Sequence, residues 1–341
     1  MSFEKIRRIP TPEEIIDIAP LSEDLKQLKA SRDEELRKTI AGSGRFLVIV
    51  GPCSADDGNA VCDFVSRLAG TYEKLREKLF IVPRIYTNKP RTTGEGYMGM
   101  LHQPVPEDAP NMADGIIALR RLHIRAMRES GLTAADEMLY TDNLDYVSDI
   151  LSYIAVGARS SEDQQHRLTA SGIDVPVGVK NPTSGDMTVL FNSIQAVQGG
   201  HSFIYHGYEV QTKGNEYAHA ILRGAVNQHG MNIPNYHYED LLYAAELYEK
   251  RDFRNPCVVI DVNHSNSAKQ YEQQPRIVKD VLHSRQHSET IGKLVRGVMI
   301  ESYIEEGAQT VSGHVYGKSI TDPCLGWEET ERLLYYIAEN V

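Results

Sequence analysis

Eight short runs of apolar, mostly β-branched residues recur along the chain, separated by longer segments of helical periodicity. The runs are FLVIV (46–50), LFIVPRIY (79–86), LTAADEML (132–139), YIAVGA (153–158), VPVGVK (175–180), HAILRG (219–224), CVVIDV (257–262) and RGVMIES (296–302). Continuous apolar strands that alternate with helices indicate a parallel sheet covered on both faces. Eight such units in 341 residues favour a closed (β/α)8 barrel over an open doubly wound sheet. No Gly-x-Gly-x-x-Gly motif follows the first run, which argues against a dinucleotide-binding fold.

The segments between these runs predict the helices of the barrel. We expect them over 57–77, 110–129, 142–151, 160–171, 186–198, 237–250, 269–284 and 324–340. Two segments fall outside the repeat, and we assign residues 1–44 to an N-terminal extension and residues 45–341 to the barrel. The extension contains a polar helical stretch at 21–40, which either plugs the bottom of the barrel or acts as an oligomerisation or regulatory arm. The insertion at 199–218 has the alternation of a β-hairpin, and with the arm it favours a homodimer or homotetramer.

Charge and apolar content exclude several classes of protein. The 47 acidic residues outnumber the 36 lysines and arginines and give a net charge of −11, which disfavours nucleic-acid binding. No apolar run approaches the roughly 20 residues that span a bilayer. The N-terminus lacks the apolar segment of a secretory signal, so we expect a cytoplasmic protein without a membrane partner. The four cysteines include no Cys-x-x-Cys pair, which makes a disulfide framework improbable.

Six cationic side chains lie at or just beyond the ends of predicted strands. In a (β/α)8 barrel these positions form the active-site face. The six are Arg84, Lys89, Arg91, Arg159, Lys180 and Arg223. One such arginine alone usually forms a surface salt bridge, but six at one mouth repel each other unless anions neutralise them. Guanidinium groups match phosphate and carboxylate in a bidentate manner, so we predict a site for two phosphates and a carboxylate.

A second set of strand-end and loop residues has the character of metal ligands. It consists of Cys53, His264, Glu301 and Asp322. A thiolate, an imidazole and two carboxylates suit a divalent first-row metal such as manganese, iron, cobalt or zinc. A structural zinc site would instead favour several closely spaced thiolates. Spacing alone leaves a buried core cysteine and a hydrogen-bonded histidine as an equally good interpretation.

Eight short motifs in order resemble one enzyme family. They are Gly-Pro-Cys-Ser (51–54), Lys-Pro-Arg-Thr-Thr (89–93), Gly-Ala-Arg (157–159), Pro-Val-Gly-Val-Lys-Asn (176–181), Leu-Arg-Gly (222–224), His-Ser-Asn-Ser (264–267), Glu-Ser (301–302) and Tyr-Gly-Lys-Ser-Ile-Thr-Asp (316–322). Together they resemble type I 3-deoxy-D-arabino-heptulosonate 7-phosphate (DAHP) synthases, the subgroup of feedback-regulated bacterial and fungal enzymes. The motifs cover the chain from about residue 45 to residue 338.

The resemblance implies a reaction and a role for each set of residues. The family joins phosphoenolpyruvate to erythrose 4-phosphate with water and releases phosphate, the first step of the shikimate pathway to chorismate. The implied metal ligands are Cys53, His264, Glu301 and Asp322. The implied substrate-binding residues are Arg84, Gly157, Ala158, Arg159, Lys180 and Arg223 for phosphoenolpyruvate, and Lys89, Arg91, Thr92 and Asp322 for the aldose. The implied catalytic residues are Lys180, Lys89, His264 and Glu137, the last beside the attacking water.

The implied chemistry begins with attack of C3 of phosphoenolpyruvate on the aldehyde, which the metal polarises as a Lewis acid. Water then captures the positive charge that develops at C2, and the cations hold the departing phosphate. Lys180 could instead form a Schiff base, because cationic neighbours lower the pKa of a lysine. The resemblance favours anion binding by Lys180.

The positions associated with feedback control depart from the family pattern. Members that respond to phenylalanine or tyrosine have serine at the position of Asp174 and a small polar residue at that of Tyr205. The turn near 143–145 also lacks the usual proline. We hypothesise that the aromatic amino-acid pocket is altered or absent in this chain.

Three other functions compete with DAHP synthesis. The first is a related phosphoenolpyruvate-dependent synthase that uses another aldose or an amino-sugar phosphate. The second is a non-catalytic barrel that senses phosphorylated metabolites, which loss of a metal ligand would favour, but every ligand is present. The third is a structural oligomer component, which the intact set of cations disfavours.

Overall fold

All eight predicted runs form strands in the computed structural model, which describes residues 2–42, 44–91 and 95–341. The strands in chain order are β1 (Phe46–Gly51), β2 (Leu79–Pro83), β3 (Ala134–Glu137), β4 (Leu151–Val156), β5 (Val177–Lys180), β6 (Ser202–Tyr205), β7 (Tyr208–Gln211), β8 (His219–Leu222), β9 (Ala225–Val226), β10 (Asn232–Ile233), β11 (Val258–Asp261), β12 (Val295–Glu301), β13 (Glu305–Ala308) and β14 (Lys318–Ser319). The barrel consists of β1 to β5, β8, β11 and β12.

The eight barrel strands are parallel and follow the order β2-β1-β12-β11-β8-β5-β4-β3. The two ends of this sheet meet at a bridge between Arg84 and Ala135, where the N–H of Ile85 donates to the Ala135 carbonyl at 3.0 Å. The closure confirms the predicted (β/α)8 barrel. Because all strands run the same way, their carboxyl ends form a single rim.

Helices surround the barrel at most of the predicted positions. They are α1 (Pro12–Ile18), α2 (Glu23–Ile40), α3 (Gly58–Leu75), α4 (Met112–Ser130), α5 (Gln164–Ala170), α6 (Met187–Gln198), α7 (Tyr238–Glu249), α8 (Gln274–His287), α9 (Glu289–Leu294) and α10 (Trp327–Asn340). Aspartate side chains cap several N-termini; Asp57, for example, accepts from the N–H groups of Asn59 and Ala60.

The helix predicted over 142–151 is wrong. A short 3-10 helix occupies Thr141–Tyr146, and β4 already begins at Leu151. Leu151 pairs with Ala134 of β3, so tertiary pairing within the barrel prevails over the local helical pattern. The small hairpin formed by β9 and β10 was also not predicted.

The predicted hairpin of the 199–218 insertion is confirmed. β6 and β7 pair in antiparallel fashion from Ser202 opposite Gln211 to Tyr205 opposite Tyr208. Ile204 and Tyr208 are largely exposed on it. Within the described residues, no helix is both long and apolar enough to cross a membrane.

Helix α2 of the N-terminal extension closes the bottom of the barrel. Leu36 and Ile40 are fully buried and belong to the same apolar cluster as Leu47 and Phe80 of the strands. Arg32 of α2 donates to the Ile81 carbonyl at 2.7 Å, and its guanidinium lies 4.5 Å from the centroid of the Phe80 ring. The helix therefore plugs the barrel, while a role of residues 1–44 in oligomerisation stays a prediction.

We expect Leu36→Ala to lower the free energy of unfolding by about 2–5 kcal/mol, because it leaves a cavity between the plug and the barrel floor. Chemical denaturation measures the change. Gln27→Ala, at an exposed position of the same helix, is the control and should change the free energy of unfolding by less than about 0.5 kcal/mol. Equal stability of the Leu36→Ala variant and the unchanged protein would show that α2 does not stabilise the barrel.

Candidate active site

A cavity of about 1060 Å³ opens at the rim formed by the carboxyl ends of the strands. All six predicted cations line it: Arg84, Lys89, Arg91, Arg159, Lys180 and Arg223. The other predicted residues on its wall are Glu137, Gly157, Ala158, His264 and Asp322. Thr92 lies outside the described residues. The strand-end pattern thus brings the predicted substrate-binding residues that are described to one cavity.

The proposed metal ligands form a compact group at the base of this cavity. Ligand atoms of Cys53, Glu301 and Asp322 all lie within 4.8 Å of one another. His264 joins them with its Nε2 atom 3.7 Å from Glu301 Oε1. The register of the barrel explains the meeting, since Gly51 of β1 pairs with Glu301 of β12 and Cys53 follows directly.

The geometry of Glu301 fits a cation at this position. Its Oε2 atom accepts a hydrogen bond from Asn263 Nδ2 at 2.7 Å. Its buried Oε1 atom lies 2.9 Å from Arg84 Nη2 and accepts no hydrogen bond of good geometry from the described residues. Cys53 and Asp322 place a soft sulfur and a harder oxygen within 4.8 Å of Glu301 and of each other, and the His264 nitrogen lies on the Glu301 side of this group. This donor set suits a divalent first-row metal.

Two opposing effects act on the Cys53 thiol. Burial and the neighbouring Glu301 carboxylate raise its pKa above the ordinary value, although Lys89, with Nζ 2.8 Å from Sγ, acts in the opposite direction. Metal ligation requires the thiolate, so binding of a divalent cation would release the thiol proton. Lys89 therefore contacts a proposed metal ligand and also lines the cavity.

Several cations of the cavity wall have no carboxylate partner. Among the described residues, Arg91, Arg159 and Arg223 form no ion pair with an acidic side chain. The Nη1 atom of Arg223 is buried and makes no hydrogen bond with any residue that the structure describes. Unneutralised guanidinium groups in a partly desolvated cavity favour an anionic ligand.

Arg84 and Lys180 differ, because acidic side chains hold them in place. Arg84 is buried, donates to the Pro52 carbonyl and lies 3.8 Å from the centroid of the Tyr86 ring. Lys180 Nζ lies 3.5 Å from Glu137 Oε2 and 3.8 Å from Asp261 Oδ2. These are the contacts of an oriented ammonium group.

Glu137 is an ionised carboxylate held close to the rim of β4. Burial raises the pKa of Glu137, but Lys180, Lys89 and Arg84 together outweigh burial and lower the pKa below its ordinary value. A Cβ atom at Gly157 would lie 2.5 Å from Glu137 Oε1, so a larger residue there would displace this carboxylate. Gly157 therefore contributes to the site by having no side chain.

Some functional residues carried no role in the sequence prediction. Asp261 is fully buried, and its Oδ2 atom lies 2.7 Å from His264 Nδ1, which orients the imidazole. Burial opposes ionisation, yet His264, Lys180 and Arg223 lower the pKa of Asp261 below its ordinary value. The strand-end rule that selected the cations applies equally to Asp261. Lys269, with Nζ 3.6 Å from Asp322 Oδ1, lies in a loop and offered no such signal.

A separate cavity of about 1260 Å³ lies between the β6–β7 hairpin and the 3-10 turn. Asp145, Asp174, Phe203 and Tyr205 line it, so the positions that departed from the family pattern do meet in space. The Tyr205 hydroxyl donates to Asp145 Oδ1 at 3.0 Å. A large phenol ring and two carboxylates thus form part of this cavity wall.

Closed parallel barrels with a cationic mouth and a cluster of metal-type donors belong to the (β/α)8-barrel enzymes that act on anionic substrates. The sequence model of the DAHP synthetase I family matches residues 23–335, and the chain belongs to this family. The match begins within α2, earlier than the motifs alone indicated.

Several relatives are similar to this chain over nearly its full length. The chain is 37% identical to the phospho-2-dehydro-3-deoxyheptonate aldolase of Haemophilus influenzae, covering 99% of this chain and 93% of the relative. It is 35% identical to the Phe-sensitive enzyme of Escherichia coli K12 (100% and 97% covered) and 34% identical to the Trp-sensitive enzyme of Salmonella typhimurium (99% and 96% covered). The structure of the enzyme from Francisella tularensis SCHU S4 superposes with a TM-score of 0.91 at 30% identity, covering 100% and 98% of the two chains.

We expect Cys53→Ser to weaken divalent-metal affinity by at least about tenfold, because a neutral hydroxyl replaces a thiolate ligand. Metal content after dialysis against a graded chelator series measures the affinity. Cys62→Ser alters a buried cysteine of α3 that is not among the clustered donors, and it should leave the metal content unchanged. Equal metal retention by both variants would contradict the assignment.

Proposed function

We propose that the rim cavity binds phosphoenolpyruvate and erythrose 4-phosphate side by side and joins them, with water, into DAHP and inorganic phosphate. This is the reaction of the family and the first step of the shikimate pathway towards chorismate and the aromatic amino acids. The proposal rests on one observation. Several guanidinium groups that have no acidic partner among the described residues lie beside a compact set of metal-type donors.

Phosphoenolpyruvate would occupy the side of the cavity formed by β2, β4, β5 and β8. Its phosphate suits Arg159 and Arg223, whose guanidinium groups have no acidic partner among the described residues. Arg84 and Lys180 lie deeper, and their fixed orientation suits the carboxylate and the bridging oxygen. The backbone at Gly157 and Ala158 forms the adjoining wall.

Erythrose 4-phosphate would occupy the other side of the same cavity. Lys89 and Arg91 supply cationic groups there, and Asp322 lies on the same wall. We assign Thr92 to this end on the family motif alone. The aldehyde would lie near Lys89 and the donor cluster, because Lys89 Nζ contacts Cys53 Sγ.

Cys53, His264, Glu301 and Asp322 would hold a divalent metal ion of the manganese, iron, cobalt or zinc type. When bound, such an ion supplies Lewis acidity for the polarisation of the aldehyde carbonyl. Asn263 and Asp261 hold two of these ligands, Glu301 and His264, in position. Outer contacts of this kind orient ligands and tune their affinity.

The side chains around the reacting carbons provide for the proton transfers. C3 of phosphoenolpyruvate forms a bond to the aldehyde carbon, and the aldehyde oxygen takes up a proton on the side of Lys89 and His264. Water adds to C2 and gives its proton to Glu137, whose lowered pKa keeps it ionised as a base. The C2–O bond to phosphate then breaks as the new C2 hydroxyl becomes a carbonyl and passes its proton to the phosphate, and Arg159, Lys180 and Arg223 stabilise the departing dianion.

The position of Lys180 favours anion binding over Schiff-base formation. Its ammonium group lies between the carboxylates of Glu137 and Asp261, at 3.5 and 3.8 Å. These two contacts orient the ammonium group towards the cavity as an ion-pairing group, which suits an anionic ligand.

The arm and the hairpin support a homodimer or homotetramer as our expectation. Phe3 is 89% exposed and Ile6 85% exposed on the arm, and Ile204 is 76% exposed on the hairpin. We expect a second copy of the chain to cover these side chains.

We expect the purified protein to release inorganic phosphate from phosphoenolpyruvate only when erythrose 4-phosphate is present. EDTA should abolish release, and added manganese should restore it. A pentose 5-phosphate and an amino-sugar phosphate serve as competing aldoses and should react far more slowly. If no phosphate is released with erythrose 4-phosphate, the proposal is contradicted. Faster phosphate release with another aldose would identify a related synthase.

We expect phenylalanine and tyrosine at sub-millimolar concentration to leave the rate of phosphate release nearly unchanged. The reason is that the Tyr205 ring and the Asp145 and Asp174 carboxylates alter the cavity beside the hairpin. Steady-state rates with each amino acid measure the effect. Strong inhibition by either amino acid would contradict the hypothesis.

A further inference from the structure

Three asparagines connect the loops that follow three neighbouring barrel strands. Asn181 follows β5, Asn235 lies in the connection after β8, and Asn266 follows β11. Asn181 is fully buried and Asn266 is 4% exposed. We call these three residues the amide cluster.

Asn181 holds the backbone of the cationic loop after β8 from both sides. Its Oδ1 atom accepts from the Arg223 N–H at 2.9 Å and from Asn235 Nδ2 at 3.2 Å. Its Nδ2 atom donates to the Gly224 carbonyl at 2.9 Å. One side chain therefore fixes the peptide groups on either side of the Arg223–Gly224 bond.

The other two asparagines complete this arrangement. Asn235 Oδ1 accepts from the Gly224 N–H at 2.7 Å, and the Asn235 N–H donates to Asn266 Oδ1 at 2.9 Å. Asn266 Nδ2 donates to the Leu222 carbonyl at 3.1 Å and to the Asp261 carbonyl at 2.8 Å. Gly224 has a φ of +75°, and a Cβ atom there would lie 2.7 Å from the Asn266 nitrogen. Amide side chains thus hold three consecutive residues, from Leu222 to Gly224.

The arginine within this segment has little else to fix it. Arg223 Nη1 is buried without a hydrogen bond, and among the described residues no acidic side chain pairs with Arg223. Among the described residues, the hydrogen bonds to its backbone are therefore what holds Arg223 at the cavity wall. A free guanidinium at a fixed position is what an arriving dianion requires.

We propose that Asn181, supported by Asn235 and Asn266, is a positioning residue for the anion-binding arginine Arg223. The proposal deepens the proposed function and rests on it in naming phosphoenolpyruvate as the anion. Amides suit the task because each supplies both a donor and an acceptor without charge. A carboxylate in the same place would pair with Arg223 or Lys180 and compete with the substrate phosphate.

The test compares Asn181→Ala with Asn215→Ala. Asn215 is also buried, with Nδ2 donating to the Ile173 and Val175 carbonyls at 2.9 and 2.8 Å, but it precedes β8 at the opposite end of the barrel. Asn181→Ala should raise the KM for phosphoenolpyruvate at least about tenfold, since a displaced binding group costs one to two orders of magnitude. The KM for erythrose 4-phosphate and the metal content should change less than about twofold, as should both KM values in Asn215→Ala.

Two outcomes would overturn the proposal. One is a phosphoenolpyruvate KM in Asn181→Ala no higher than in Asn215→Ala, and the other is a parallel rise of both KM values. If Asn181→Ala does not fold, Asn235→Ala decides by the same criteria, with an expected rise of about threefold because it removes contacts to Gly224 and Asn181 only.

A binding measurement separates this inference from the proposed function. Calorimetric titration with inorganic phosphate should show weaker binding to Asn181→Ala than to the unchanged protein, and equal binding by Asn215→Ala. If the unchanged protein releases no phosphate from the two substrates, the proposed function fails and this titration alone judges the amide cluster. Equal phosphate affinity in all three proteins would refute the positioning role.

Discussion

The buried ion pair between Arg84 and Glu301 joins the two halves of the site. Its atoms are 2.9 Å apart, and both side chains are almost completely buried. Desolvation makes such a pair costly unless other groups satisfy it, and removal of one partner typically costs about 3–5 kcal/mol. The Tyr86 ring and the Pro52 carbonyl contact Arg84, and Asn263 donates to Glu301 Oε2, while Arg84 Nε and Glu301 Oε1 make no hydrogen bond with the described residues. The Glu301 carboxylate therefore lies between Arg84, which we propose to bind an anion, and the metal-type donors, and it couples the two electrostatically.

The charge of the whole chain makes the cavity more selective. With a net charge of −11, most of the surface repels phosphorylated metabolites. The rim cavity reverses this field locally, because Arg91, Arg159 and Arg223 on its wall form no ion pair with acidic side chains of the described residues. A positive cavity in a negative surface concentrates small dianions at one place while polyanions such as nucleic acids are repelled.

Much of the barrel and of the cavity lining could be predicted from the periodicity of apolar residues in the sequence. Parallel strands with apolar faces have few alternatives to a closed barrel, and the strand-end rule selected residues that do line one cavity, such as Arg159 and Arg223. The family motifs, rather than spacing, distinguished Cys53 as a ligand candidate from an ordinary core cysteine. Elements that depend on tertiary pairing were harder to predict from the sequence. An example is 142–151, where the pairing of β4 competes with a helix.

Residues that act through ion pairs or hydrogen bonds to other residues left the weakest signal in the sequence. Asp261 and Asn263 orient ligands only because β11 and β12 place them beside His264 and Glu301. Lys269 and Asn235 lie in connections whose course no local pattern predicts. Such contacts join residues distant in sequence, so single-chain patterns cannot reveal them.

The amide cluster has a consequence for the response of the site to acidity. Asparagine side chains do not titrate, so the scaffold beneath Arg223 keeps its hydrogen bonds at any pH at which the barrel is folded. Acidity can then act on the charges of the site, such as the Glu137 carboxylate, without moving Arg223, which we propose to bind phosphate. The geometry of the proposed anion site is thus independent of the protonation state of the proposed catalytic side chains.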